Sequence, residues 1–94
     1  MYFSAEEIRL KIGTGWTEVH VVSEVGVVPT TRGYVPALEV DRGATRHLLL
    51  VGAGSLMKPL EQLRDRDGKL GGLTLRIRKA GEAPTSAYVV EEVT

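Results

Sequence analysis

Few side chains in this sequence are of the kinds that make or break bonds. There are two histidines, His20 and His47, and no cysteine. The histidines stand far apart with no third ligand at metal-binding spacing, so they read as strand-surface residues and not as a metal pair. Gly52-Ala53-Gly54 precedes a helical pattern, as a dinucleotide-binding turn would. Met57 occupies the place of the third glycine, however, and no second βαβ unit follows. The glycines then simply let the chain bend into a helix. Asp65 and Asp67 alternate with Arg64 and Arg66, the pattern of a solvated helix end. Ser55 lacks the glycine-flanked elbow of a nucleophile and reads as a helix cap. No nucleophile, base and oxyanion donor can be assembled from this set, so the expectation is a protein that is not an enzyme, with no cofactor and no metal.

Cationic and aromatic side chains form the better pattern. Arg76, Arg78 and Lys79 fall in one alternating stretch, Arg42 and Arg46 flank a turn, and Arg32 and Tyr34 leave a loop. The total formal charge is zero, yet it is unevenly placed. Residues 32–81 hold ten basic against five acidic side chains, while residues 1–31 set Arg9 and Lys11 against four glutamates. A basic middle between acidic ends suits a local anionic partner. Phosphates track such a stripe, and bases stack on exposed rings beside it. The expected binding set is therefore Arg32, Arg46, Arg76, Arg78 and Lys79 on phosphates, with Tyr34 and Trp16 stacking on bases.

The elements that would position these residues are mostly strands. Ser4-Ala5-Glu6-Glu7 has the form of a capping box, but Ile8, Leu10 and Ile12 alternate with Arg9 and Lys11. That is a strand period, so a strand is predicted over 7–12. Trp16 opens a long valine-rich run to Val28, with Gly26 as its expected bulge. Residues 29–33 read as a loop, and a strand follows from Tyr34 to Val40 through Pro36. Asp41-Arg42-Gly43 turns it back into a strand over 46–51. Leu56, Leu60 and Leu63 make one helical stripe, closed by Gly68, with Pro59 near its start. Leu73, Leu75 and Ile77 alternate with polar residues, residues 81–84 turn, and the last strand covers 87–93.

Counted from Trp16, three strands, a helix and two strands give an all-β domain with one helix between strands 3 and 4. That is the order of a five-stranded OB-like barrel, with residues 1–15 as an extension or extra strand. Its core should join Leu38, Val40, Leu49, Leu73, Leu75 and Ile77 to Leu60 and Leu63.

Composition bounds the rest. The 94 residues, 43% of them apolar, suffice for one domain with one core over 1–94. No apolar run approaches the ~18 residues that cross a bilayer, and residues 1–7 lack the form of a secretory leader. An intracellular protein without membrane contact is expected. Asparagine is absent and glutamine occurs once, at Gln62; either heat adaptation or a GC-rich genome gives that bias.

The stretch Leu70-Gly71-Gly72-Leu73-Thr74-Leu75-Arg76-Ile77-Arg78-Lys79-Ala80-Gly81-Glu82, followed by Ser86-Ala87-Tyr88-Val89-Val90, resembles the C-terminal half of OB domains in phage-type single-stranded-DNA-binding proteins. A glycine-led strand of the form G-x-x-[apolar]-x-I-x-R, a small turn and a T-x-Y-x-V strand recur there, with Ser86 here in the place of threonine. Gly13-Thr14-Gly15-Trp16 before Val19-His20-Val21 is similar to their opening strands. The resemblance implies a single-stranded-DNA-binding protein of low sequence specificity, serving replication or recombination in a viral or prokaryotic setting, with RNA as the other candidate ligand. A reading from another class is an assembly module, its valine-rich strands pairing with a partner or in a homodimer.

Overall fold

Alternating burial sets the strands. In the computed structural model, which describes residues 1–93, they are β1 (Thr17–Val21), β2 (Gly26–Thr30), β3 (Gly33–Arg42), β4 (Thr45–Leu50), β5 (Thr74–Lys79) and β6 (Tyr88–Glu92), with one helix, α1 (Gly54–Asp67). Val19 and Val21 are buried while Glu18 and His20 are exposed, and Leu75 and Ile77 are buried beside exposed Arg76. All strand pairs are antiparallel and join into one six-stranded sheet.

β3 organises that sheet. Val40 pairs with Val21 of β1 and with His47 of β4, and Ala37 pairs with Gly26 of β2 and with Leu50 of β4. β1 and β2 therefore share one edge of β3, and β4 takes the other. The valine-rich run predicted as one strand is broken at residues 22–25, not at Gly26. Ser23 and Glu24 hold the break. The Ser23 hydroxyl accepts the Glu39 N–H at 3.0 Å, and the Glu24 carboxylate accepts the N–H groups of Leu70 and Gly71 at 2.9 and 2.7 Å. Gly26 serves a different purpose: a Cβ there would lie 2.7 Å from the Phe3 ring.

Pro36 is tolerated inside β3 because the β3–β4 ladder stops at Ala37↔Leu50. The missing N–H falls where β4 has ended, while the Pro36 carbonyl still accepts from Val51 at 2.9 Å. Residues 29 and 30, read as loop, belong to β2. The turn is only Thr31-Arg32, closed by Gly33 at φ 99°, a left-handed conformation that suits glycine.

The helix begins at Gly54, so that Pro59 lies inside it, and Ser55 is not its cap. Ala53 holds the N-cap position without a side-chain bond, and the Ser55 hydroxyl accepts the Tyr88 N–H at 3.0 Å, tying α1 to β6. Gly68 caps the other end at φ 78°, its N–H on the Arg64 carbonyl. Leu56 and Leu60 sink into the main core with Leu38, Val40, Leu49, Leu75 and Ile77; Leu63 and Leu73 pack at its margin. Six of the eight expected core residues are thus buried in it, and two lie at its edge.

Two further expectations are corrected. Among the described residues no ladder joins β4 to β6, so the sheet is not a closed five-stranded barrel. Residues 7–12 form no regular strand. They lie as an extended strap along the free edge of β4, bridging in parallel at Arg9↔Leu48, with the Leu10 N–H on the Leu48 carbonyl and the Leu48 N–H on the Ile8 carbonyl. Leu10 drops into the main core at 9% exposure while Ile8 stays 60% exposed. The alternation was real, but one side chain, not three, is fully used.

Candidate nucleic-acid interface

The strand geometry divides the seven residues expected to bind into separate groups. Arg76 and Arg78 project from the outer face of β5, and their guanidinium carbons lie 4.5 and 5.1 Å from the centroid of the half-exposed Trp16 ring. This brings three of the expected residues into one cation–π stack. Arg76 is also neutralised. Its Nε donates to Glu91 Oε1 at 2.8 Å, because the β5–β6 register sets Arg76 directly opposite Glu91.

Arg46 is likewise taken. Its Nε bonds Asp41 Oδ1 at 2.6 Å across the β3–β4 hairpin, with Glu39 at 3.9 Å, and the hydrogen bond to Asp41 raises its pKa above the usual guanidinium value. Tyr34, 66% exposed, stands edge-on to Tyr2 with ring centroids 5.9 Å apart. Alternation along β3 puts it on the face opposite Val35.

Lys79 and Arg32 belong to another surface. Lys79 shares the side of β5 that carries Leu75 and Ile77, opposite to Arg76 and Arg78, and its ammonium lies 5.6 Å from the Tyr88 ring. It lines a cleft of about 390 Å³ with Arg9, Lys11, Leu50 and Tyr88. That cleft shares Arg9 and Leu50 with a second one, lined by Thr30, Thr31, Arg32 and Val35. It shares Lys79 and Ile12 with a third, beside Gly81 and Glu82. The three clefts adjoin through these shared residues, between the β2–β3 turn and the β5–β6 loop. Arg32, Arg9, Lys11 and Lys79 line them, against Glu82 alone. Among the described residues none of these four cations has a carboxylate partner.

Arg9 and Lys11 escape sequence reasoning because they sit in an acidic stretch of the chain. Only the strap, lying along β4, carries them beside Lys79. The one available signal is their alternation with Ile8, Leu10 and Ile12, which turns both to the side away from Leu10. The two histidines do not enter the clefts: His20 Nδ1 lies 3.2 Å from Thr74 Oγ1, and His47 Nδ1 lies 3.1 Å from the Thr45 carbonyl. No helix among the described residues is long and apolar enough to cross a membrane. No family model, curated protein or solved structure matches this chain.

Proposed function

We propose that the protein binds single-stranded nucleic acid, DNA first, along the cationic clefts and with little sequence preference. The observation that carries this is the set of four unneutralised cations, Arg32, Arg9, Lys11 and Lys79, lining three adjoining clefts between two loops. A phosphate backbone is the polyanion of matching form: a row of regularly spaced charges read without regard to the bases. The Tyr88 ring under Lys79 supplies a planar surface for a base at that end of the site, whereas Trp16 stands with Arg76 and Arg78 on the outer face of β5 and lies off it.

Connectivity supports an OB-like reading. If β1 and β2 count as one bent strand, the order is strand, strand, strand, helix, strand, strand. The β2–β3 turn and the β5–β6 loop are then the two loops that flank an OB ligand site. The resemblance to phage-type single-stranded-DNA-binding proteins points the same way. On this reading Arg46 and Arg76 are structural ion-pair partners and not phosphate ligands.

A titration of fluorescently labelled oligothymidylate, followed by anisotropy beside the same length of duplex, tests the proposal. Saturable, salt-sensitive binding that favours the single strand is the expected result. No binding, or equal binding of duplex, refutes it.

A further inference from the structure

Residues 1–13 do more than bring Arg9 and Lys11 beside Lys79. Along β2 the Phe3 N–H donates to the Val27 carbonyl at 2.8 Å and the Val27 N–H donates to the Met1 carbonyl at 3.0 Å, a parallel bridge at Tyr2↔Val27. Along β4 the bridge is Arg9↔Leu48. The strap therefore crosses the outer face of the β2–β3–β4 subsheet and pairs with the free edge at each side. Under it lies a second, small core in which Phe3 covers Val28, Ala37 and Leu48, with Leu50 at the margin. Gly26 is fitted to the strap, since any Cβ there would meet the Phe3 ring and the Met1 carbonyl.

The strap is nevertheless weakly tied. Its crossing residues, Ser4 to Glu7, are exposed or half-buried, and the Glu7 carboxyl faces Glu39 of β3, with Arg46 of β4 as the cation that acts on it and Asp41 already holding that cation. Its hinge, Gly13-Thr14-Gly15, is exposed, and a Cβ at either glycine would meet nothing within 4 Å. Opening at that hinge uncovers two strand edges and two apolar faces, including the slot in the main core left by Leu10. An open copy cannot stay open, because unpaired edges and bare apolar surface demand cover. The surface is cut to residues 1–10 of this sequence, and the zero formal charge of the chain sets up no repulsion between copies.

We infer that the β2 and β4 edges of one copy accept the N-terminal strap of a second copy, giving a reciprocal, two-fold strap-exchanged dimer. Every contact of the closed chain is kept in it, so exchange costs only what association costs, and concentration selects between the forms. This stands apart from the nucleic-acid reading and does not need it.

The chain has no cysteine, which makes the test direct. Tyr2→Cys and Val27→Cys place thiols on partners that are bridged in the strap-closed arrangement, within disulfide reach. The two single variants are mixed at high concentration, incubated and then oxidised. A cross-linked heterodimer is expected in clear excess over that from Tyr2→Cys mixed with Glu61→Cys, whose thiol lies on the exposed side of α1. The double variant Tyr2→Cys/Val27→Cys, oxidised while dilute, should remain a monomer by light scattering at concentrations where the wild type dimerises. Cross-linking no greater than with Glu61→Cys overturns the inference, as does a wild-type protein that stays monomeric at every concentration. Should either cysteine variant fail to fold, a short glycine insertion between Thr14 and Gly15 gives an independent readout. A longer hinge relaxes closure, so it must lower the dimer fraction; an unchanged fraction overturns the inference equally.

Discussion

The cationic clefts make a quantitative prediction about salt. Each phosphate neutralised on a single strand contributes a slope of roughly −0.7 to log K against log salt. Four free cations line the clefts, so the full protein should show a slope of about −2.8. Between about 50 and about 200 mM salt this is a loss of about 50-fold in affinity. Lys79→Ala or Arg9→Ala removes one contact, and the same salt change should then cost only about 18-fold. Arg76→Ala and Arg46→Ala must behave otherwise. Both side chains already give their charge to a carboxylate, Glu91 in one case and Asp41 in the other. Either substitution should leave the slope within error of the wild type. Anisotropy titrations of labelled oligothymidylate at four salt concentrations would measure all five slopes. Two outcomes refute the placement of the site: a slope change at Arg76 equal to that at Lys79, or no change at Lys79 and Arg9. The first would move binding to the outer face of β5, and the second would remove it from the clefts.

Three other outcomes test the fold and the strap. Glu24→Ala strips the acceptor from the Leu70 and Gly71 N–H groups and should cost about 2–4 kcal/mol in urea denaturation, with Glu24→Gln losing less; a loss under about 1 kcal/mol would mean those groups find other partners. The Glu7 carboxyl is pushed above its ordinary value of 4.5, first by desolvation and then by the facing Glu39, so its share of stability is full below that value and is lost as pH rises through the raised one. Amide exchange at Val27 and Leu48, which bond the strap, should then be slower near pH 4.5 than at neutrality after correction for intrinsic rates, and Glu7→Gln should abolish the difference. If the absence of asparagine and cysteine reflects heat adaptation, thermal unfolding should lie well above the ~45–65 °C of ordinary domains, whereas a midpoint inside that range leaves codon bias as the cause.

Most strand positions and most of the core were legible because both follow from local alternation. Leu75 and Ile77 must share one face and Arg76 and Arg78 the other, whatever the rest of the chain does. Pairing partners are not local. That Arg76 meets Glu91 depends on the β5–β6 register, which is set by a loop over 80–87 longer than the turn read at 81–84. That Lys79 leaves Arg76 and Arg78 and joins Arg9 depends on both parity and the path of the strap. Parity could be read from the sequence; the path could not. The Asp41–Arg46 pair is an intermediate case. Once Asp41-Arg42-Gly43 is taken as a hairpin turn, the two side chains fall opposite each other, and Arg46 could have been withdrawn from the phosphate ligands on that ground.

The broken strand shows why closure was misjudged. A continuous valine run carries no mark of where it bends, since Val22 and Val25 suit a strand as well as Val19 and Val27 do. What stops the ladder is polar: Ser23 takes the Glu39 N–H, and Glu24 reaches the N–H groups of Leu70 and Gly71, more than forty residues away in sequence. The bend turns β2 away from β1 along the same edge of β3, and among the described residues no ladder closes β4 onto β6. Residues 8–13 fill that gap, with Leu10 completing the core and Gly13 accepting the Lys79 N–H at 2.7 Å. A regular β4–β6 pairing would have left no place there for the strap, and so no Arg9 or Lys11 beside Lys79. The gap between β4 and β6 is thus the common origin of the strap and of the cationic clefts, and both trace to two polar residues inside a stretch that reads as uninterrupted strand.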